Sequence, residues 1–238
     1  QGVHPCTVGM CGVWMLGTLV SSHGQKSYTI QTELVTPVPA LLLQVCGGDG
    51  PTVVGDVAVS AQRNADPCTS RGCLWPKYSD GKVYMPYVIA NHYSSLELSV
   101  IQRALESFSA SICIRFNLLM GICAFLSNGQ VVSLSRQGCI YHGTVQHELL
   151  HALGFNHEQT RSDCDNHILP SWHNFNRIQT KNLDTPYDYN SVMQYHRYAF
   201  SKNNQPTMVP IPNSNVEIGM ATQMSANDIL RVKRLYKC

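Results

Sequence analysis

The 238 residues predict an α+β fold, on three observations: β-branched and aromatic stretches, two capped patterns of helical period, and a long aperiodic tail closed by a third helix. Lys82–Ala90 (KVYMPYVIA) is β-branched and aromatic, the composition of a strand. Ser94 followed by Glu97 makes a capping-box signature, and Leu98, Ile101, Leu105 and Phe108 follow at helical spacing. Cys113–Met120 and Gln130–Leu134 predict strands around the turn residues Ser127, Asn128 and Gly129. Thr144–Leu153 predicts a helix stopped by Gly154. Residues 158–224 have little periodicity and many Asn, Pro and Tyr, which predicts loops. Ser225 and Asp228 open a last helix with an apolar face of Ile229, Val232 and Leu235. Residues 1–63 read differently, with Lys26, Glu33, Asp49, Asp56 and Arg63 as their only charges and Pro37, Pro39 and Pro51 as breakers.

Composition narrows the class. With 44% hydrophobic and 13% charged residues the chain is globular rather than disordered. A net charge of +2 without a dense Lys/Arg block argues against nucleic acid as a partner. The longest apolar runs, Val13–Val20 and Ala40–Val45, fall far short of the roughly 18–20 residues of a membrane span. Val13–Val20 followed by Ser21 and Ser22 has the length of a secretory h-region, although no basic segment precedes it. Ten cysteines without ribbon-type zinc spacing point to disulfides in an oxidising compartment, with connectivity left open.

The chemistry concentrates between His147 and His157. On a helix, His147 and His151 project from one face and reach one ion together. Gly154 ends that helix and lets the chain turn, so that His157 returns as a third nitrogen ligand. Three neutral imidazoles leave a fourth zinc position open for water, as catalytic sites do. Glu148, beside the first ligand, is placed to take that water's proton. The remaining histidines (His4, His23, His92, His142, His167, His173 and His196) read as surface or packing residues.

HELLHALGFNHEQTRSDCD at 147–165, with SVMQY at 191–195, resembles the astacin family of metzincin zinc endopeptidases. NADPCTSRGCLWPKYSDGKVYMPYVI at 64–89 and TPYDYNSVMQY at 185–195 are similar to its fish hatching-enzyme (choriolysin) subgroup. The resemblance implies a two-lobed catalytic domain over 64–238. A mixed sheet with helices forms the upper lobe, about 64–157, and a loop-rich lower lobe, about 158–238, ends in a C-terminal helix. It implies one Zn2+ per chain on His147, His151 and His157, Glu148 as general base, and Tyr195 as a second catalytic residue bonding the tetrahedral intermediate. Met193 would lie beneath the metal, and Glu158 would bind the amino terminus created on activation. Residues 1–63 become a leader and propeptide, in which Val53-Val54-Gly55-Asp56 is similar to the family's latency motif and Asp56 is the latency ligand. Activation would fall between Arg63 and Asn64.

The family pattern further implies disulfides Cys68–Cys73, Cys113–Cys238 and Cys123–Cys139, leaving Cys164 unpaired unless it meets Cys6, Cys11 or Cys46. It implies secretion through granules and a protein substrate, egg-envelope glycoprotein. Two departures stand out. Gln194 and His196 replace the usual His and Gly of the methionine turn. Between about Phe116 and Cys123 the chain is short by a strand's worth of the upper sheet, which predicts an exposed sheet edge. An impaired upper lobe of that kind suits an alternative, a secreted binding protein without catalysis.

Overall fold

The computed structural model describes residues 40–44, 52–54, 57–59, 74–118, 129–136, 138–170 and 177–238. Their strands are β1 (Ala40–Gln44), β2 (Thr52–Val54), β3 (Val57–Val59), β4 (Val83–Ile89), β5 (Ile114–Leu118), β6 (Gly129–Ser133), β7 (Ile168–Pro170) and β8 (Met208–Pro210). The helices are α1 (Ser95–Ser111), α2 (His142–Ala152) and α3 (Ala226–Tyr236).

Local chemistry sets most of these boundaries. The backbone N–H of Glu97 donates to Ser94 Oγ, and the Glu97 carboxylate accepts from the Ser94 N–H at 2.6 Å. Two of the N–H groups at the start of α1 are thereby satisfied. Ile101, Ala104, Leu105 and Phe108 form its buried stripe, with Leu98 at the margin. Ser225 and Asp228 cap α3 in the same way. Its buried face holds Asp228, Arg231, Val232 and Tyr236, while Ile229 and Leu235 are only partly covered. The charged members of that face prove to serve the functional site.

β4, α1 and β5 form a strand–helix–strand unit whose strands pair in parallel, from Val83 opposite Ile114 to Tyr87 opposite Leu118. The main sheet has the order β5-β4-β1-β6. β1 runs antiparallel to both of its neighbours. The bare edge expected from the shortened stretch after Phe116 is therefore not found between β4 and β6. Ala40–Gln44, an apolar run from the front of the chain, pairs with both strands there. The physical reason is that two facing edges with unpaired N–H and C=O groups are stabilised by any extended segment that reaches both.

Two apolar clusters organise the described residues. The larger joins Val83, Met85 and Val132 of the sheet to Ile101, Leu105 and Phe108 of α1, Val145 and Leu149 of α2, and Val232 of α3. Phe108 is fully buried and meets Phe116 edge-to-face at 5.3 Å, so truncating it to Ala costs about 3–5 kcal/mol. The smaller cluster (Cys164, Ile168, Tyr187, Ala199, Met208 and Ile218) lies under the loops of the second half. There the short antiparallel pair β7–β8 is the ladder the sequence did not disclose. A disulfide joins Cys113 to Cys238 with a Cα–Cα distance of 5.3 Å. Cys139 is disulfide-bonded, while Cys68, Cys73 and Cys123 lie outside the described residues. Cys164 is a buried free thiol, pushed up to about 11 by burial and by Asp165 beside it. Among the described residues no helix is long and apolar enough to cross a membrane.

Candidate metal centre

α2 carries His147 and His151 on consecutive turns and ends on a tight reversal. The Gly154 N–H donates to His151 O at 2.9 Å, and the Phe155 N–H reaches back to Leu150 O at 3.0 Å. This paired closure needs a left-handed residue, and Gly154 supplies it with φ of +98°. The next orphan carbonyls of the helix are capped from outside: Trp75 Nε1 donates to Ala152 O and Tyr236 Oη to Leu153 O. Gln146 ties the same helix to its surroundings, donating to Ser107 Oγ at 2.8 Å and accepting from the Met224 N–H at 2.7 Å. The histidines thus stand on a helix held at its end and along its side.

His157 emerges from the reversal, and the three imidazoles converge. Nε2 of His151 is 3.1 Å from Nε2 of both His147 and His157, which are themselves 3.3 Å apart. Nδ1 of His147 faces Val192 O at 2.8 Å, and Nδ1 of His151 faces Phe155 O at 2.7 Å. Carbonyl oxygens accept only, so these contacts place the ring proton on Nδ1 and leave the Nε2 lone pairs pointing at one another. Converging lone pairs call for a cation. Tetrahedral zinc at about 2.0–2.1 Å from each nitrogen would separate the nitrogens by about 3.3 Å, which the trio meets.

The turn at Met193 builds the other wall. Met193 is buried in the larger cluster, and its carbonyl accepts from the Glu158 N–H at 3.0 Å. Tyr195 packs its ring 4.3 Å from that of His157, and its N–H donates to Gln159 Oε1. Gln194 accepts from Tyr187 Oη at 2.6 Å and donates to Tyr195 O at 3.0 Å. Both of its polar ends are satisfied in a buried position, which accounts for Gln there. Glu148 is buried on α2 between the two helical ligands.

Glu158 is held by partners other than the trio. Arg231 grips its carboxylate with both terminal nitrogens, at 2.8 Å for Nη2, and Arg161 Nη1 and the Asp188 N–H also donate to it. Burial pushes this carboxyl upward, and the two guanidinium groups pull it back. Asn64 and Asp56 lie outside the described residues.

Several contributors were not legible as such. Asp228 reads in the sequence only as a helix cap, yet it accepts from Ser191 Oγ at 2.6 Å and from the Val192 N–H at 2.9 Å. It therefore holds Val192, the residue whose carbonyl orients His147. Arg231, Arg161 and Gln159 are likewise buried polar partners, and their signal, a polar residue on an apolar face, appears only once the faces are known.

A helix-borne histidine pair, a third imidazole returned by a glycine turn and a buried methionine loop define a zinc metalloendopeptidase. Comparison with known proteins places it more closely. The profile of the astacin peptidase family matches residues 121–237. The chain is 44% identical over 209 residues to the low choriolytic enzyme of Oryzias latipes, covering 77% of each chain. It is 42% identical over 208 residues to high choriolytic enzyme 1 of the same fish, again 77% of each. The solved structure of that second enzyme, a hatching-enzyme zinc protease, superposes with a TM-score of 0.67 at 40% identity, covering 74% of this chain and all of the other. The chain belongs to the astacin family, with its α+β metzincin fold, zinc dependence and protein substrates.

Proposed function

We propose that the chain is a secreted endopeptidase of hatching-enzyme type, made latent by its front segment and acting on egg-envelope glycoproteins. The observation that carries this reading is the convergence of three Nε2 atoms within 3.3 Å, with Tyr195 packed on His157 and Glu148 next to His147 on the helix. Zinc held there supplies a Lewis acid that brings the pKa of water to about 7 and polarises a carbonyl. Glu148 takes a proton from the attacking water and returns it to the leaving amine. Tyr195 donates its hydroxyl hydrogen to the developing oxyanion. Met193 keeps the floor beneath the histidines packed.

Before activation Asp56 would present a carboxylate to the site. Cleavage after Arg63 would then create an amino group at Asn64 that joins Glu158, displacing one of the donors now on that carboxylate. Secretion through granules suits a chain with a disulfide between Cys113 and Cys238. The names of the choriolytic relatives support the envelope substrate. The rival reading, a binding protein without catalysis, rested on a gap in the sheet that β1 occupies.

The test compares hydrolysis of a quenched fluorescent peptide by wild type and Glu148→Gln, each cut after Arg63. The variant should lose about 10²–10⁴-fold in kcat while keeping one zinc per chain. Chelation should silence the wild type and added zinc restore it. A folded, zinc-loaded wild type that cleaves no peptide would sink the peptidase role. Cleavage of peptides but not of isolated envelope glycoprotein would remove the substrate.

A further inference from the structure

β4, β5 and β6 all run in one direction, while β1 runs against its two neighbours. β4 and β6 do not pair with each other, and two inter-strand steps separate them by about 9.5 Å, beyond any direct hydrogen bond. Along this sheet they are joined through the residues of β1. All five pair with β6, from Ala40 opposite Ser133 to Gln44 opposite Gly129. Leu41, Leu42 and Leu43 also pair with Ile89, Val88 and Tyr87 of β4. The ladder to β4 stops one residue short of Pro86, which has no N–H to give.

Both strands that flank β1 belong to the core. Val83 and Met85 of β4 are fully buried, as is Leu134 just after β6, and Leu134 O accepts from Tyr93 Oη. The chain then runs from Leu134 into α2, so the inner strand lies one connection away from the zinc histidines. Without β1 two ladder edges would face each other bare in the middle of the sheet. The run Ala-Leu-Leu-Leu has the continuous apolar character of a strand enclosed on both sides. β2 and β3, in contrast, pair with each other in a separate ladder.

We infer that the front segment is a permanent part of the peptidase: Ala40–Gln44 is its inner sheet strand and stays when the chain is activated. This rests on the zymogen reading above for the cut itself. Hydrolysis of the Arg63–Asn64 bond, with water giving its hydroxyl to the Arg63 carbonyl and a proton to the Asn64 amine, then yields two chains held by one sheet. The β2–β3 ladder, whose strands flank Asp56 in sequence, is separate from the sheet that holds β1.

Hydrogen exchange read by mass spectrometry tests this on the intact chain and on the chain cut after Arg63. The amides of Ala40–Gln44 should exchange as slowly as those of β4 and β6, before and after the cut. Leu42→Pro should speed exchange in Val83–Ile89 and Gly129–Ser133 at least tenfold, while Val53→Pro in β2 should not. If Leu42→Pro does not fold, the wild-type exchange still decides. Fast exchange of Ala40–Gln44 beside protected β4 and β6, in either form, overturns the inference. Slow exchange at all three strands in a zinc-loaded protein without hydrolysis would sustain it and remove the peptidase reading instead.

Discussion

His147 owes its orientation to a residue outside the metal site. The Asp228 carboxylate binds the Val192 N–H, and the carbonyl of Val192 faces His147 Nδ1. The carboxylate thereby fixes the position of the residue whose carbonyl orients the ring and its tautomer. Asp228→Asn should therefore weaken zinc binding about 10–100-fold, read by competition with a chromogenic chelator. Unchanged affinity in a folded variant would show that Val192 orients His147 unaided. Gly219 is a second remote determinant. Its φ is +71°, and an added Cβ would lie 2.1 Å from His196 N and 2.5 Å from the Tyr195 carbonyl carbon. Gly219→Ala should shift Tyr195 and reduce kcat/KM about 10²-fold while leaving zinc stoichiometry intact. Loss of the metal instead would place Gly219 in support of the ligands rather than of Tyr195.

α1 illustrates an element whose start is electrostatic. Glu97 is held down to about 2 by Arg136, then by Ser94, from an ordinary value of 4.5. A carboxyl lowered in the folded state adds stability that is complete above about 4.5 and vanishes as pH falls through about 2. Wild type should melt above Glu97→Gln at neutral pH, and the difference in Tm should close between those two values. A difference that persists at pH 2 would mean that the carboxylate charge is not what caps α1. This capping box was legible from Ser94 and Glu97 alone, because its chemistry is confined to four adjacent residues. So was the stop at Gly154. β1 was not, since Ala40–Val45 carries no turn signal or alternation that says where its partners are.

Across the molecule, the Cys113–Cys238 bridge closes a separation of 125 residues and anchors the end of α3 beside β5. Because α3 brings Asp228 and Arg231 to the Met193 turn and to Glu158, loosening its end loosens the site's support. Replacing both cysteines by Ala should cost about 2–5 kcal/mol in urea unfolding, with activity falling before global unfolding. Parallel loss of activity and fold would show that α3 does not detach by itself.

The sequence by itself determined the zinc trio, the helix that bears two of its members, and the caps of α1 and α3. Each is written in residues a few positions apart, where helical spacing and turn preference dictate geometry directly. Tertiary structure alone decided that Ala40–Gln44 enters the sheet, that Arg231 neutralises Glu158 and that Asp228 steadies His147. These contacts join residues tens of positions apart. Their partners are selected by burial and by the need to satisfy every buried polar group, conditions that exist only once the chain has closed on itself.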